Sequence, residues 1–294
     1  MSNDERPSVV RLNQHFLRDN SALEQIVSLS EIEPHETVLE IGPGKGPLTS
    51  RIAERAKKVV AIEADTRLKP DLDALQAHYP NVSVIYGDAL EMRFPKFDRL
   101  VANIPFNITE PLIMKLMGEK FAGAYLLVGE SFAHNCTVLG DYTTRLGLLT
   151  RAYFRTEQLL HVPKESFEPV PSTDGVLVAF YPMRKSDLQQ DITLYMLRCI
   201  WDQRTRSLRD ALSAALYQHA SAKAAGEIDV SGVVRDFERK HAGIIDRRVD
   251  SIGNTEFLDL YRGLPAMKLN RLFGGHKPRG GAQNWRKTYA EYIR

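Results

Sequence analysis

Short apolar runs alternate with longer amphipathic segments through the first half of the chain. The apolar runs lie at residues 37–41, 59–63, 82–88, 99–103 and 124–128. Between them, the three-to-four-residue spacing of amphipathic helices is found at 48–56, 68–78 and 110–117. Near-continuous apolar strands separated by helices are typical of a mostly parallel sheet that helices cover on both faces. The pattern therefore predicts an α/β fold.

The pattern changes after residue 128. A helical stretch at 141–154 precedes two apolar segments, 158–162 and 175–181, which we expect to pair as an antiparallel hairpin. Between them, residues 163–171 are too rich in proline for a helix or a central strand. The hairpin is therefore expected to complete the sheet, with a proline-rich loop at its turn.

The composition changes again after residue 182, where we place a domain boundary. The smaller domain, 183–294, shows helical patterns at 192–217, 230–240 and 255–262. It contains 20 Lys and Arg against 13 Asp and Glu, whereas residues 1–182 contain 19 against 24. Within it, residues 262–294 carry eight basic residues and a single acid, together with four aromatic residues. This distribution favours a polyanionic partner near the C-terminus.

Composition excludes several classes of protein. The 294 residues are 43% hydrophobic and 26% charged, as in an ordinary soluble protein, and no apolar run reaches the roughly 18 residues that span a bilayer. The first residues have no apolar segment typical of a signal peptide. Cys136 and Cys199 have neither disulfide nor zinc-ligand spacing. We therefore expect a cytoplasmic protein without a metal site and without membrane attachment.

Glycines at every second position follow the first apolar run. Gly42, Gly44 and Gly46 separate a predicted strand from a predicted helix, which is the order that opens a nucleotide-binding unit. Glycine lets the backbone turn sharply and lie against a ligand. Alone, this spacing also fits an ordinary tight turn.

Polar residues end four successive strands of the predicted sheet. They are Glu40, Glu63, Asp88 and Asn103. One such residue is readily explained as a helix cap, but four at the edge where α/β sheets bind ligands indicate a site. An acid about 20 residues after the glycine turn usually accepts hydrogen bonds from ribose hydroxyls, which assigns Glu63 to a nucleotide cofactor.

Two features favour methyl transfer over hydride transfer. The glycine spacing is not that of a dinucleotide dehydrogenase, and Asp88 and residues 103–106 have no role in hydride transfer, whereas they do have roles in methyl transfer to an exocyclic amine. The lone pair of such an amine is delocalised into the ring, so both of its hydrogens must be held by acceptors. Asn103 supplies a side-chain oxygen and Ile104 a carbonyl, which Pro105 keeps extended, while Phe106 offers a face for stacking.

Several motifs resemble the ribosomal RNA adenine N6-dimethyltransferases, in the order found in that family. They are residues 14–19, 40–49, 87–89, 101–108 and the proline-rich segment 162–172. The resemblance implies a Rossmann-like sheet that binds S-adenosyl-L-methionine in residues 1–182, and a small α-helical RNA-binding domain in residues 183–294. Its partner would be ribosomal RNA or a pre-ribosomal particle, and the protein would act as a monomer.

The resemblance also implies roles for individual residues. The cofactor would be bound by Gln14, His15, Leu17, Gly42, Gly44, Glu63, Asp88, Ala89 and Asn103. The catalytic motif would be Asn103, Ile104, Pro105 and Phe106. Phe106 and Phe167 would stack on the target base; alternatively, Phe167 is a core aromatic residue that anchors its loop.

Two departures from the family pattern are visible. The family commonly has Gln-Lys-Glu-Phe-Ala followed by Arg after the fifth strand, where this chain has Gly-Glu-Ser-Phe-Ala-His-Asn at 129–135. Two positive charges are therefore absent near the expected RNA face. The tyrosine that ends the catalytic motif in the family is Phe106 here, which retains the ring and loses the hydroxyl.

The leading hypothesis is an enzyme that dimethylates small-subunit rRNA adenines during ribosome maturation. A resistance-type methylase of a single large-subunit adenine is the first alternative. A non-catalytic RNA-binding assembly factor that keeps the fold is the second, although the intact residues 103–106 argue against it.

Overall fold

The computed structural model describes residues 14–137, 144–188, 191–222 and 230–264. The chain divides into two compact units, Met1–Met183 and Arg184–Arg294. Residues 141–143 of one predicted helix and residues 265–294 of the basic C-terminal segment lie outside the described residues. None of the helices in the described ranges is long and apolar enough to cross a bilayer.

The first unit is built on a seven-stranded sheet in the order β4-β3-β2-β5-β6-β9-β7. Strands β2 to β6 are parallel, and β9 and β7 are antiparallel to their neighbours. The five predicted strands and the closing hairpin are thereby confirmed. The strands are β1 Phe16–Leu17, β2 Thr37–Ile41, β3 Lys58–Glu63, β4 Val82–Tyr86, β5 Arg99–Asn103, β6 Gly123–Gly129, β7 Phe154–Val162, β8 Phe167–Glu168 and β9 Gly175–Pro182.

Helices cover the sheet and form the second unit. On one face of the sheet, Ile26 and Ile52 from two helices share a buried cluster with Val38 and Val101 from the strands. The α/β architecture is therefore the predicted one. The helices are α1 Asn20–Leu29, α2 Pro47–Ala53, α3 Lys69–His78, α4 Thr109–Leu116, α5 Glu130–Thr137, α6 Arg145–Tyr153, α7 Ile192–Trp201, α8 Leu208–Ala222, α9 Val230–Lys240 and α10 Asn254–Gly263.

The helix predicted at 192–217 is wrong in one respect, because two helices, α7 and α8, replace it. The chain leaves helical geometry at residues 202–207, where its backbone pairs with a distant segment instead of continuing the helical ladder. The Asp250 amide donates to the Arg204 carbonyl, the Leu208 amide donates to the Arg247 carbonyl, and Ser207 forms a bridge with Arg248. Residues 202–207 are all polar, but Leu208 lies seven residues, or about two helical turns, after Trp201, so the spacing on either side stays compatible with one helix.

A second, two-stranded sheet was not predicted. In it β1 pairs antiparallel with β8, which aligns Leu17 with Phe167. The Arg18 amide also donates to the Ser166 carbonyl at 2.8 Å. This sheet brings the start of the described chain onto the proline-rich loop.

The strand order reverses between β2 and β5. These two strands pair only at their beginnings, through Val38 with Arg99 and Leu39 with Leu100. Just before them, the buried Glu36 carboxylate accepts two hydrogen bonds from the Arg99 guanidinium, at 2.8 and 2.9 Å. The pairing is thus concentrated at one end, and the strands are free to separate toward their carboxyl ends. A reversal of this kind is where open α/β sheets bind ligands.

Candidate active site

A cavity of about 190 Å³ lies at the carboxyl edge of the sheet. Its wall contains every residue that the sequence assigns to cofactor binding: Gln14, His15, Leu17, Gly42, Gly44, Glu63, Asp88, Ala89 and Asn103. Residues from the ends of four strands and from the N-terminal segment are thus brought together, as the strand-end pattern requires.

The glycine turn forms the floor of this cavity, and its backbone requires glycine. Gly44 has a φ of +61°, in the left-handed region, and a Cβ there would lie 3.0 Å from the Phe16 ring. Gly46, with φ +87°, precedes Pro47 at the start of α2, and a Cβ there would lie 2.7 Å from the Leu75 side chain. At both positions the left-handed φ disfavours residues with a Cβ, and the neighbouring Phe16 and Leu75 side chains would have to move to admit one.

Glu63 shapes the turn from the neighbouring strand. Its carboxylate accepts hydrogen bonds from the Gly44 amide at 3.1 Å and from the Asp65 amide at 2.8 Å. Burial raises the pKa of Glu63 above its ordinary value, while these two hydrogen bonds act in the opposite direction. Each oxygen keeps lone-pair capacity for a further donor, such as a ribose hydroxyl.

Glu40 is a site residue that sequence reasoning placed at a strand end but did not assign to cofactor binding. It is 1% exposed and lines the cavity, and its Oε2 has no hydrogen-bond partner. Burial raises the pKa of Glu40 to about 8; the Thr49 side chain lowers it and the charge of Glu63 raises it. The signal in the sequence was its place directly before the glycine turn.

These acids fit S-adenosylmethionine. Unpartnered buried polar atoms are rare in native proteins and are usually completed by a ligand or water. Glu40, Glu63 and Asp88 line one cavity as acceptors, and the cofactor brings donors and positive charge in its amino group, sulfonium and ribose hydroxyls. The chemistry of the cavity wall therefore matches the chemistry of this group.

The raised pKa of Glu40 predicts a pH-dependent stability. Because the fold favours the protonated carboxyl, the stabilisation is complete below pH about 4.5 and is lost as the pH rises toward 8. Glu40→Gln, which is neutral at every pH, should therefore be more stable than the parent at pH 8.5 and equally stable near pH 4.5. Urea unfolding of the cofactor-free chain at both pH values measures this. A stability difference between Glu40→Gln and the parent that is the same at both pH values would contradict this prediction. Glu33→Gln, at an exposed glutamate, is the control variant.

The predicted catalytic motif begins at Asn103, the last residue of β5. The Asn103 side chain donates from Nδ2 to the His15 carbonyl at 3.1 Å, which leaves its Oδ1 as the acceptor. Pro105 has an extended backbone, with φ −56° and ψ 128°, and precedes a single 3-10 turn at Phe106–Ile108. The motif is thereby held between the glycine turn and the N-terminal segment.

A second cavity, of about 390 Å³, adjoins the first, and His15 lines both. Phe106 lies in its wall, whereas Asn103 lies in the wall of the first cavity. The predicted stacking residue and the predicted amine acceptor thus face neighbouring spaces. The remaining lining residues are Thr109, Gly129, Ser131, Phe132, Pro171, Ser172 and Thr173.

Phe167 lines neither cavity. It is 2% exposed and packs edge-on against Phe106, with the ring centroids 6.4 Å apart. This is the position expected of a core aromatic residue that anchors the loop, the alternative considered above. Phe167 therefore supports Phe106 from behind and presents no free face.

The N-terminal segment and the proline-rich loop meet beside these cavities. The His15 Nδ1 and the Pro169 carbonyl are 2.7 Å apart, as in a hydrogen bond donated by the ring. Arg18 and Glu168 form an ion pair. The segment 129–135, which departs from the family pattern, lies here as well, because Gly129, Ser131 and Phe132 line the second cavity.

Within the described ranges, no cluster of three or more His, Cys, Asp or Glu has the arrangement of a metal site.

Comparisons with known proteins identify one family. A family model described as ribosomal RNA adenine dimethylase matches residues 9–239. A probable ribosomal RNA small subunit methyltransferase A of Methanosarcina mazei is 34% identical over 253 residues, which cover 83% of this chain and 92% of that protein.

Two crystal structures are similar in fold. A dimethyladenosine transferase from Plasmodium falciparum is 26% identical, with a TM-score of 0.59, over 86% of this chain and 98% of that one. The 23S rRNA methyltransferase ErmE is 25% identical, with a TM-score of 0.55, over 85% and 99%. The similarity therefore extends over most of the chain in both sequence and fold.

Proposed function

The chain belongs to the ribosomal RNA adenine dimethylase family, and from that membership we propose that it transfers methyl groups from S-adenosylmethionine to adenine N6 in ribosomal RNA. The family that the sequence motifs indicated is confirmed by the family model. The observation that carries the proposal is the pair of adjoining cavities, one lined by acids and Asn103, the other by Phe106.

The first cavity would hold the cofactor, which supplies an electrophilic methyl group. Glu63 would accept hydrogen bonds from the ribose, and Asp88 and Ala89 would border the adenine ring. The free oxygen of Glu40 would accept from the amino group. Because these acids lie in one partly enclosed cavity, their ionised forms favour a cationic ligand over its neutral product, and the bound cation would in turn favour ionisation of the Glu40 carboxyl.

The target amine would be held by two acceptors. Asn103 Oδ1 and the Ile104 carbonyl would each accept one amine hydrogen, so that the nitrogen lone pair points away from the ring plane. Asn103 is already fixed by its bond to the His15 carbonyl, so little ordering is needed when the substrate arrives. Catalysis then rests on positioning and electrostatics, without a general base at the attacking step.

Phe106 would capture the extruded adenine by stacking. Removing the ring in Phe106→Ala should raise KM for the RNA substrate by about 5- to 150-fold, because base stacking is worth roughly 1–3 kcal/mol. Phe106→Tyr keeps the face of the ring and should stay close to the parent. Steady-state kinetics on a small-subunit particle compare the two, and an unchanged kcat/KM in Phe106→Ala would remove Phe106 from the site.

We infer that the substrate is small-subunit RNA. The sequence relatives that resemble the chain at 34–36% identity are named small-subunit methyltransferases. The fold alone does not distinguish a small-subunit from a large-subunit substrate. ErmE, named for 23S rRNA, is almost as similar in structure as the dimethyladenosine transferase. The basic excess of residues 183–294 supports contact of this domain with RNA. The reaction is expected in the cytoplasm, with a pre-ribosomal particle as the partner.

Tritium-labelled cofactor offered with 30S particles, 50S particles and naked DNA tests the proposal. Label in the 30S RNA alone, recovered as methylated adenine, is the expected result. Label in the 50S RNA would favour the resistance-type activity. Binding to a particle without transfer of label would favour the non-catalytic assembly factor.

A further inference from the structure

The loop that follows β4 forms one wall of the cofactor cavity but contains no helix or strand. Asp88 starts it: its carboxylate accepts from the Leu90 amide at 2.7 Å, and its carbonyl accepts from the Glu91 and Met92 amides, both at 3.1 Å. Ala89 and Leu90 line the cavity beside it. These bonds satisfy the amides of Leu90, Glu91 and Met92. The carbonyls of Ala89, Leu90 and Met92 take no part in them.

Lys115, on α4, supplies the missing donors. Its ammonium group donates to the carbonyls of Ala89, at 2.7 Å, Leu90, at 3.2 Å, and Met92. An ammonium has three hydrogens, and three carbonyls of one loop take them. The same nitrogen lies 4.1 Å from the centroid of the Phe94 ring. The Lys115 ammonium therefore contacts this loop through its backbone carbonyls and through the Phe94 ring.

The chemistry of this contact suits a role in shaping the cavity. These three hydrogen bonds are part-buried, and charge-assisted hydrogen bonds are stronger than neutral ones. A single ammonium that draws three carbonyls together fixes the curvature of residues 89–92, and with it the position of Asp88. An exposed ion pair of a surface lysine would not fix the backbone in this way, because it contacts a single flexible side chain.

We propose that Lys115 is a positioning residue that keeps the 88–92 loop in the shape that receives the purine ring of S-adenosylmethionine. This inference rests on the proposed function, which places that ring against Asp88 and Ala89. Lys115 lines neither cavity, so it acts through the loop. It should control cofactor affinity and leave the transfer step itself unchanged.

Titration calorimetry of the full chain with S-adenosylmethionine tests this. Lys115→Met keeps most of the apolar stem and removes all three donors; if the loop then holds the receptive shape about one-tenth of the time, Kd rises about tenfold. Lys115→Arg should recover part of the affinity, since its planar fork cannot reach three converging carbonyls equally well. The exposed Lys120 gives the matched control, and Lys120→Met should bind like the parent.

Two further readouts separate positioning from general damage. At saturating cofactor, kcat of Lys115→Met should stay within about twofold of the parent, because Asn103 and Phe106 are untouched. Hydrogen exchange of the Glu91 and Met92 amides should be faster in the cofactor-free variant, while the amides of β5 stay protected. If Lys115→Met does not fold, Lys115→Gln replaces it, with a severalfold rise in Kd expected.

The outcomes distinguish this inference from the proposed function. A parent chain that does not bind S-adenosylmethionine would overturn the proposed function. A parent that binds it, together with a folded Lys115→Met of equal Kd and equal exchange at Glu91 and Met92, would overturn the role of Lys115 alone. A fall in kcat with unchanged Kd would also overturn it, because the defect would then lie in the transfer step.

Discussion

Replacing Asn103 with alanine is expected to lower the rate of methyl transfer by about 10²–10³-fold. In the proposed reaction the side-chain oxygen accepts one amine hydrogen, and the loss of a comparable positioned hydrogen-bonding group costs roughly 3–4 kcal/mol in the transition state. Cofactor affinity should change only a few-fold, since the Glu40, Glu63 and Asp88 carboxylates remain. Single-turnover methylation of a small-subunit particle, with cofactor at saturation, measures the rate.

Asn103→Asp is the informative companion to this variant. It keeps an acceptor in nearly the same place but loses the hydrogen bond that the Nδ2 group donates to the His15 carbonyl. Its rate should therefore lie between those of the parent and Asn103→Ala. Near-normal turnover by Asn103→Ala would place the catalytic site elsewhere and would refute the reading of residues 103–106.

Breaking the buried pair between Arg99 and Glu36 is expected to lower the free energy of unfolding by about 3–5 kcal/mol. Arg99→Met leaves the Glu36 carboxylate buried without its charged partner, and uncompensated buried charge has this cost. It also removes the hydrogen bond from Arg99 to the Tyr125 hydroxyl and the ion pair with Glu31. Both side chains are under a tenth exposed. The exposed pair of Lys69 and Asp73 serves as control, because Lys69→Met should cost less than about 1 kcal/mol. Urea unfolding near neutral pH compares the two variants.

The stabilisation that the Arg99–Glu36 pair provides depends on pH in a defined direction. Burial alone would raise the pKa of Glu36, but the hydrogen bonds from Arg99 and the Glu33 amide outweigh it, and the pKa is lowered. The stabilisation is therefore present above the ordinary carboxyl pKa and is lost as the pH falls through the lowered value. If Arg99→Met lost less than 1 kcal/mol at pH 7, this account of the pair would be wrong.

The sheet and its ligand edge were predictable because both follow from local patterns. Buried parallel strands are nearly continuous apolar runs, and polar residues at their carboxyl ends are placed at one edge by the topology itself. That reasoning is enough to bring Glu63, Asp88 and Asn103 to one cavity. The resemblance to a family added His15 and Leu17, whose positions depend on a pairing that no local pattern encodes.

What the sequence did not predict depends on contacts between distant segments. The break at 202–207 arises from hydrogen bonds to residues 247–250. The pairing of β1 with β8 involves two residues in each strand, too few to show alternation. The sequence left two readings of Phe167 open, and its burial beside that pairing favours the core reading. The free oxygen of Glu40 becomes visible only once the surrounding donors are placed.

The pairing of Leu17 with Phe167 has a consequence for the order of events on the translating ribosome. About 150 residues separate the partners, so at roughly 5–20 residues per second the later one is made about 8–30 s after the earlier. Strands β2 to β5 are complete well before then. In the nascent chain, the strands that carry Glu63, Asp88 and Asn103 are therefore made while the cofactor cavity still lacks one wall. The wall that contains His15 and Leu17 can be fixed only after residue 167 has emerged.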